Sequence, residues 1–163
     1  MRLLVANLEE ALAGALMLVI LTIIFLSVVF RYAFSQPFQW SDEIAMGLFI
    51  WQVFIAAAVA MKRGMHIAVE MFTILLPEAF QRWLRIVVHL LMILVLISIV
   101  IFGWQFANAT WTQYTLNLQI PRFWINLAAP VGALLMLRWT IVHLLKELSG
   151  QEKTPEAAGA GVV

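Results

Sequence analysis

The chain contains no cysteine, which excludes a disulfide framework, thiol redox chemistry and thiolate-ligated metal. Charge is nearly as scarce: Asp, Glu, Lys and Arg make up 12% of the 163 residues and sum to a formal +1. So small a net charge provides no field for gathering nucleic acid or a strongly acidic partner. What remains is apolar. Hydrophobic residues reach 64% with a mean hydropathy of +0.96, against about 45 to 50% apolar residues in soluble globular chains. The length fits one domain and the composition fits an integral membrane protein.

A helix crossing a hydrocarbon core of about 30 Å needs roughly 20 apolar residues. Four stretches meet this, so the sequence predicts an all-α integral membrane protein with four transmembrane helices over residues 11–31, 42–61, 86–106 and 123–145. The first carries no ionisable side chain between Glu10 and Arg31 and runs out in SVVFRYAF, without a small-residue cleavage site. It reads as a retained helix and not a signal peptide. Residues 1–147 constitute the membrane domain. The tail over 148–163, with its GQEKTPEAAGAGVV ending, has no periodicity and is expected to be disordered in the cytoplasm.

Lys and Arg are retained on the cytoplasmic side during insertion. With the N-terminus inside, the inner segments hold Arg2, Lys62, Arg63, Arg82, Arg85, Arg138, Lys146 and Lys153, and the outer ones only Arg31 and Arg122. Both termini are therefore expected in the cytoplasm. Aromatic residues mark the outer boundaries, Tyr32, Phe34, Phe38 and Trp40 on one side and Trp104, Trp111, Tyr114 and Trp124 on the other.

Between the second and third spans, KRGMHIAVEMFTILLPEAFQRWLR spaces its apolar residues as a short cytoplasmic interfacial helix stopped by Pro77, with His66 and Glu70 four apart. The outer connection, ANATWTQYTLNLQIPRFW, is polar and closes at Pro121 beside the start of the fourth span. It suits either contact with a soluble partner or a plain connection.

An autonomous ion-coupled carrier needs an ionisable residue near the bilayer midplane, and paired helix breaks or inverted repeats usually accompany it. None of the four spans has such a residue, and Pro130 stands alone. A haem-binding membrane cytochrome is a second alternative, because two histidines on neighbouring helices clasp haem iron. His66, His89 and His143 instead sit within a turn or two of helix ends beside Arg or Lys, where an interfacial imidazole needs no ligand. His66 with Glu70 would supply half a metal site at most.

On a helical wheel the second span gathers Trp40, Glu43, Gly47, Trp51, Phe54 and Ala58 within roughly 80°. Small residues alternating with very large ones favour close approach of a neighbouring helix. Ser41 is expected to cap this helix, leaving Asp42 and Glu43 in the first turn, where the helix dipole favours carboxylates. Glu43 shares the face with Gly47 and Trp51 and so needs a cationic or hydrogen-bonding partner, with Arg31 and Arg122 as candidates at the same level.

RYAFSQPFQWSDEIAMGLFIWQVFIAAAVAMKRGMHIAVEMF, from Arg31 to Phe72, and LQIPRFWINLAAPVGALLMLRW, from Leu118 to Trp139, resemble the motifs of the small membrane subunit of tripartite ATP-independent periplasmic (TRAP) transporters. The resemblance extends over about residues 5–147. It implies a non-catalytic subunit, and no enzyme, that braces the scaffold against which a large, sodium-coupled elevator subunit moves. A periplasmic binding protein would deliver the organic acid. On this reading the expected partners are the large multi-helix permease subunit, the binding protein and membrane lipids, in the inner membrane of a bacterial cell. Sodium ions belong to the large subunit and no cofactor to this chain, and the polar ending suggests a separate polypeptide.

Matching the motifs residue by residue singles out Arg31, Trp40, Glu43, Trp51, Arg63, His66, Pro121 and Pro130 as structural positions. Trp40, Glu43, Gly47 and Trp51 are expected to form a seam within the subunit or toward its partner. Arg63, His66 and Glu70 are expected to fix the interfacial helix and meet lipid head groups, each basic residue gaining about 1 kcal/mol near an anionic surface.

Overall fold

A computed structural model describes residues 2–34, 38–63 and 78–149. The predicted interfacial helix, with His66 and Glu70, and nearly all of the predicted tail lie outside these residues. The described chain is helical throughout apart from its connections: α1 (Arg2–Ala33), α2 (Ser41–Lys62), α3 (Glu78–Ala109), the single turn α4 (Phe123–Asn126) and α5 (Ala128–Leu148). Four helical segments are long and apolar enough to cross a membrane, the fourth combining α4 and α5. Both α1 and α3 continue beyond the apolar runs that predicted them, because nothing in their flanking polar turns breaks a helix.

The break between α4 and α5 follows from Pro130. Its ring nitrogen has no hydrogen to donate, which a helix tolerates only in its first turn. The helix accordingly restarts at Ala128, with Leu127 as the hinge.

The spans are arranged in a single row. Backbones approach closely between α1 and α2, between α2 and α5, and between α5 and α3, and between no other two spans among the described residues. The fourth span thus lies between the second and third. Two glycines show why α5 fits there. A Cβ on Gly132 of α5 would meet Phe54 of α2 at 2.5 Å, and one on Gly103 of α3 would meet Pro130 of α5 at 3.3 Å. Residues 130 and 132 lie about 200° apart on the helix, so α5 is gripped on opposite sides.

The core follows this arrangement. Ala58, Leu96, Ala133 and Met136 form it, with Phe54, Ala57, Met61, Ile99 and Val100 packed around them. Of the four spans the fourth is the most enclosed. The outer faces carry exposed Leu, Ile, Val and Phe, as lipid-facing or partner-facing surfaces do.

Candidate functional site

The sequence-predicted stripe on α2 turns toward α4, α5 and the connection between α3 and α4. Gly47 lets the Ile125 side chain come within 3.5 Å of where a Cβ would stand. The Trp51 indole donates to the Trp124 carbonyl at 3.1 Å, beside the break between α4 and α5. Phe54 fills the space left by Gly132, and Ala58 enters the core. Trp40 departs from the stripe: it stacks obliquely on Phe38 at 5.4 Å and is 41% exposed.

Glu43 is held by backbone amides and not by an arginine. Its Oε1 accepts from Asn117 N at 2.8 Å and from Asn117 Nδ2 at 3.0 Å, and its Oε2 accepts from Leu118 N at 3.0 Å. Asn117 Nδ2 also donates to the Gln39 carbonyl at 2.9 Å. Ionised acceptors make hydrogen bonds roughly twice as strong as neutral ones, so the carboxylate ties the connection between α3 and α4 to the first turn of α2. Arg31 and Arg122 are both exposed.

Ser41 differs from its predicted role. Trp40 is the N-cap and makes no side-chain capping bond, while Ser41 is the first helical residue. Its hydroxyl is buried, donates to the Phe38 carbonyl at 2.7 Å and lies 2.9 Å from the Ser27 hydroxyl of α1. The serine is drawn inward because a hydroxyl in an apolar seam must be paired, and α1 supplies the partner.

The connection between α3 and α4 is a built element. Arg122 N donates to the Gln113 carbonyl at 2.7 Å, Thr115 N to the Ile120 carbonyl at 3.0 Å, and Ile120 N to Thr115 Oγ1 at 3.1 Å. Tyr114 and Pro121 form an antiparallel bridge. Gln119 closes the tip at φ 55°, a left-handed conformation rare for a residue with a Cβ. Leu116 projects from it, strongly exposed.

The opposite end of the row is charged. Glu10 of α1 meets Lys62 at 2.8 Å and Arg63 at 3.0 Å. Glu9 accepts from the Trp139 indole at 3.1 Å, with Arg138 at 3.9 Å. The buried Glu147 of α5 pairs with Arg85 of α3 at 2.7 Å. His89 Nδ1 and His143 Nε2 lie 2.8 and 3.1 Å from the carbonyls of Arg85 and Met61, and carbonyls can only accept, so these nitrogens donate. Among the described residues no three His, Asp or Glu gather as a metal site.

The structure therefore sets Gly47 and Trp51 against the fourth span and Glu43 against the connection between α3 and α4, ties Arg63 to α1, and places Pro121 in that connection's hairpin and Pro130 against Gly103. Sequence reasoning missed the hairpin, the Ser27–Ser41 pair and Glu9. The long polar run before Pro121 was the available signal for the hairpin.

Comparison with known proteins adds lineage. Residues 20–150 match the family described as tripartite ATP-independent periplasmic transporters, DctQ component. The sialic acid TRAP transporter small permease protein SiaQ of Vibrio cholerae is 28% identical over 153 residues, covering 92% of this chain and 88% of SiaQ. The sialic acid TRAP transporter permease protein SiaT of Haemophilus influenzae is 31% identical over 80% of this chain, but the match covers only 21% of SiaT. The isethionate TRAP transporter permease protein DctMQ of Oleidesulfovibrio alaskensis is 30% identical over 94% of this chain and 25% of its own length.

Proposed function

Because the chain belongs to the DctQ component family of tripartite ATP-independent periplasmic transporters, we propose that it braces the fixed scaffold of a large permease subunit in the bacterial inner membrane. Members of this family are transport components and not enzymes. The large subunit performs sodium-coupled uptake of an organic acid that a periplasmic binding protein delivers. This chain contributes span area to the scaffold and no contact to the cargo.

The observation that carries this reading is the single row of spans. A row with two broad apolar sides suits lateral attachment to a larger membrane protein, and its charges are confined to the two ends. A carrier working by itself needs an ionisable group facing a cavity near the midplane, and no span has one there. The relatives SiaT and DctMQ, each a permease far longer than the segment this chain matches, support a large membrane partner.

Reconstituted alone in liposomes, the chain is expected to take up no organic acid under a sodium gradient. Co-reconstituted with the large subunit and the binding protein, it is expected to support uptake. Flux through the chain by itself would overturn the reading. The orientation is tested in the same cysteine-free background. A cysteine replacing Gln39 should react with a membrane-impermeant maleimide in intact cells, and one replacing Ser149 only after lysis; the reverse pattern would place the termini outside.

A further inference from the structure

Gln52 stands near the middle of α2, which spans Ser41–Lys62. At 1.5 Å per residue it is about 15 Å from either end, the depth of the hydrocarbon midplane. On the helical wheel it falls within about 20° of Ser41 and Ala45, both buried, and Ser41 is paired with Ser27 of α1. The antiparallel register set by Ser27–Ser41 and Glu10–Lys62 puts Gln52 level with about residues 16–20 of α1. Leu16 and Ile20, which offer no hydrogen bond, are the inward-facing side chains at that level.

Gln52 Oε1 is buried and has no hydrogen-bond partner among the described residues, although the side chain keeps part of its surface open. An amide left unpaired where no water reaches costs free energy. The terminal torsion of glutamine is broad, so either the carbonyl or the NH2 can turn to the open side of the α1–α2 seam. Only a membrane-spanning element can meet it there, because midplane depth is beyond the reach of a soluble protein or a lipid head group.

We propose that Gln52 is a mid-membrane anchor for the large permease subunit, hydrogen-bonding a hydroxyl, amide or free main-chain group on one of that subunit's helices beside the α1–α2 seam. This rests on the small-subunit reading above. The occupant follows from the relatives: the segment that this chain matches makes up 21% of SiaT and 25% of DctMQ, so in those permeases it adjoins a much larger length of chain. Polar side chains of this kind join membrane helices where the hydrophobic effect gives no drive.

The test co-expresses the chain with the large permease subunit of the same organism and captures the complex through a tag on the small subunit. Gln52→Leu and Gln52→Met are expected to recover about three- to tenfold less large subunit than the wild type, the range a hydrogen bond between membrane helices supplies. The thermal midpoint of the isolated variant chain should hold or rise, since a buried unpaired oxygen is removed. A benzophenone maleimide on Gln52→Cys should crosslink to the large subunit. Undiminished recovery of both variants would overturn the inference, as would a crosslink only to a second copy of this chain. A matching fall in the isolated chain's thermal midpoint would assign Gln52 to α1–α2 packing instead. If the wild type itself recovers no large subunit, the small-subunit reading fails first and takes this inference with it.

Discussion

Glu43 shows how one side chain changes meaning once its surroundings are known. A carboxylate in the first turn of a helix needs no explanation beyond the dipole, yet this one reaches the amides of Asn117 and Leu118, more than seventy residues away. Glu43→Ala should therefore leave α2 helical while those two amides lose protection in hydrogen exchange followed by mass spectrometry, and unchanged protection would reduce Glu43 to a helix start. Gly132 offers a sharper steric test. Gly132→Ala forces a methyl against the Phe54 ring and should destabilise the fold by about 1–3 kcal/mol in detergent unfolding. At Gly14, where nothing lies within 4 Å, alanine should be neutral or stabilising by up to about 1 kcal/mol. The α2 face was legible because residue spacing on a helix is fixed, so Glu43, Gly47 and Trp51 had to share a side. The partner of Glu43 was not, because a main-chain amide is present at every position and carries no signature in a sequence. Gln52 escaped for a related reason: a search for charge passes over an amide, although the hydrocarbon penalises both.

At the scale of elements, hydropathy located the four spans but could not order them, since it measures how each helix meets lipid and not which helix it meets. The order came from a few shape-determined positions, Gly103 against Pro130 and Gly132 against Phe54. The hairpin between α3 and α4 was hidden for a different reason: its tip uses Gln119 at φ 55° where a glycine would have announced the turn. The α3–α5 seam is pinned at its charged end by Arg85 and the buried Glu147. Arg85→Ala removes the guanidinium 2.7 Å from a buried carboxylate and should cost about 3 kcal/mol, whereas Arg85→Met combined with Glu147→Leu should restore most of the stability. Chemical unfolding in mixed micelles measures both. If the single and double variants are equally destabilised, the loss lies in packing and not in charge.

Across the whole molecule, among the described residues, the ends of the spans hold most of the polar chemistry; near the middle, Thr22 and Ser98 bond back to their own helices while Gln52 Oε1 has no such bond. That division matches a subunit that lends structure to a neighbour. It also separates two kinds of variant: changes at α5 should lower the stability of the chain itself, while changes on the open faces of α1, α2 and α3 should leave it folded and act only through assembly. The row has a further consequence for biogenesis. The α1–α2 hairpin is complete when α2 leaves the insertion machinery, but α3 then enters the bilayer ahead of its neighbour, because among the described residues the only span beside it is the fourth. The fourth span is the one that joins the two halves. A chain halted after Ala109 should therefore yield a paired α1–α2 and a solitary α3 open to lipid, chaperone or protease, so that the lifetime of this subunit is decided by whether its fourth span arrives.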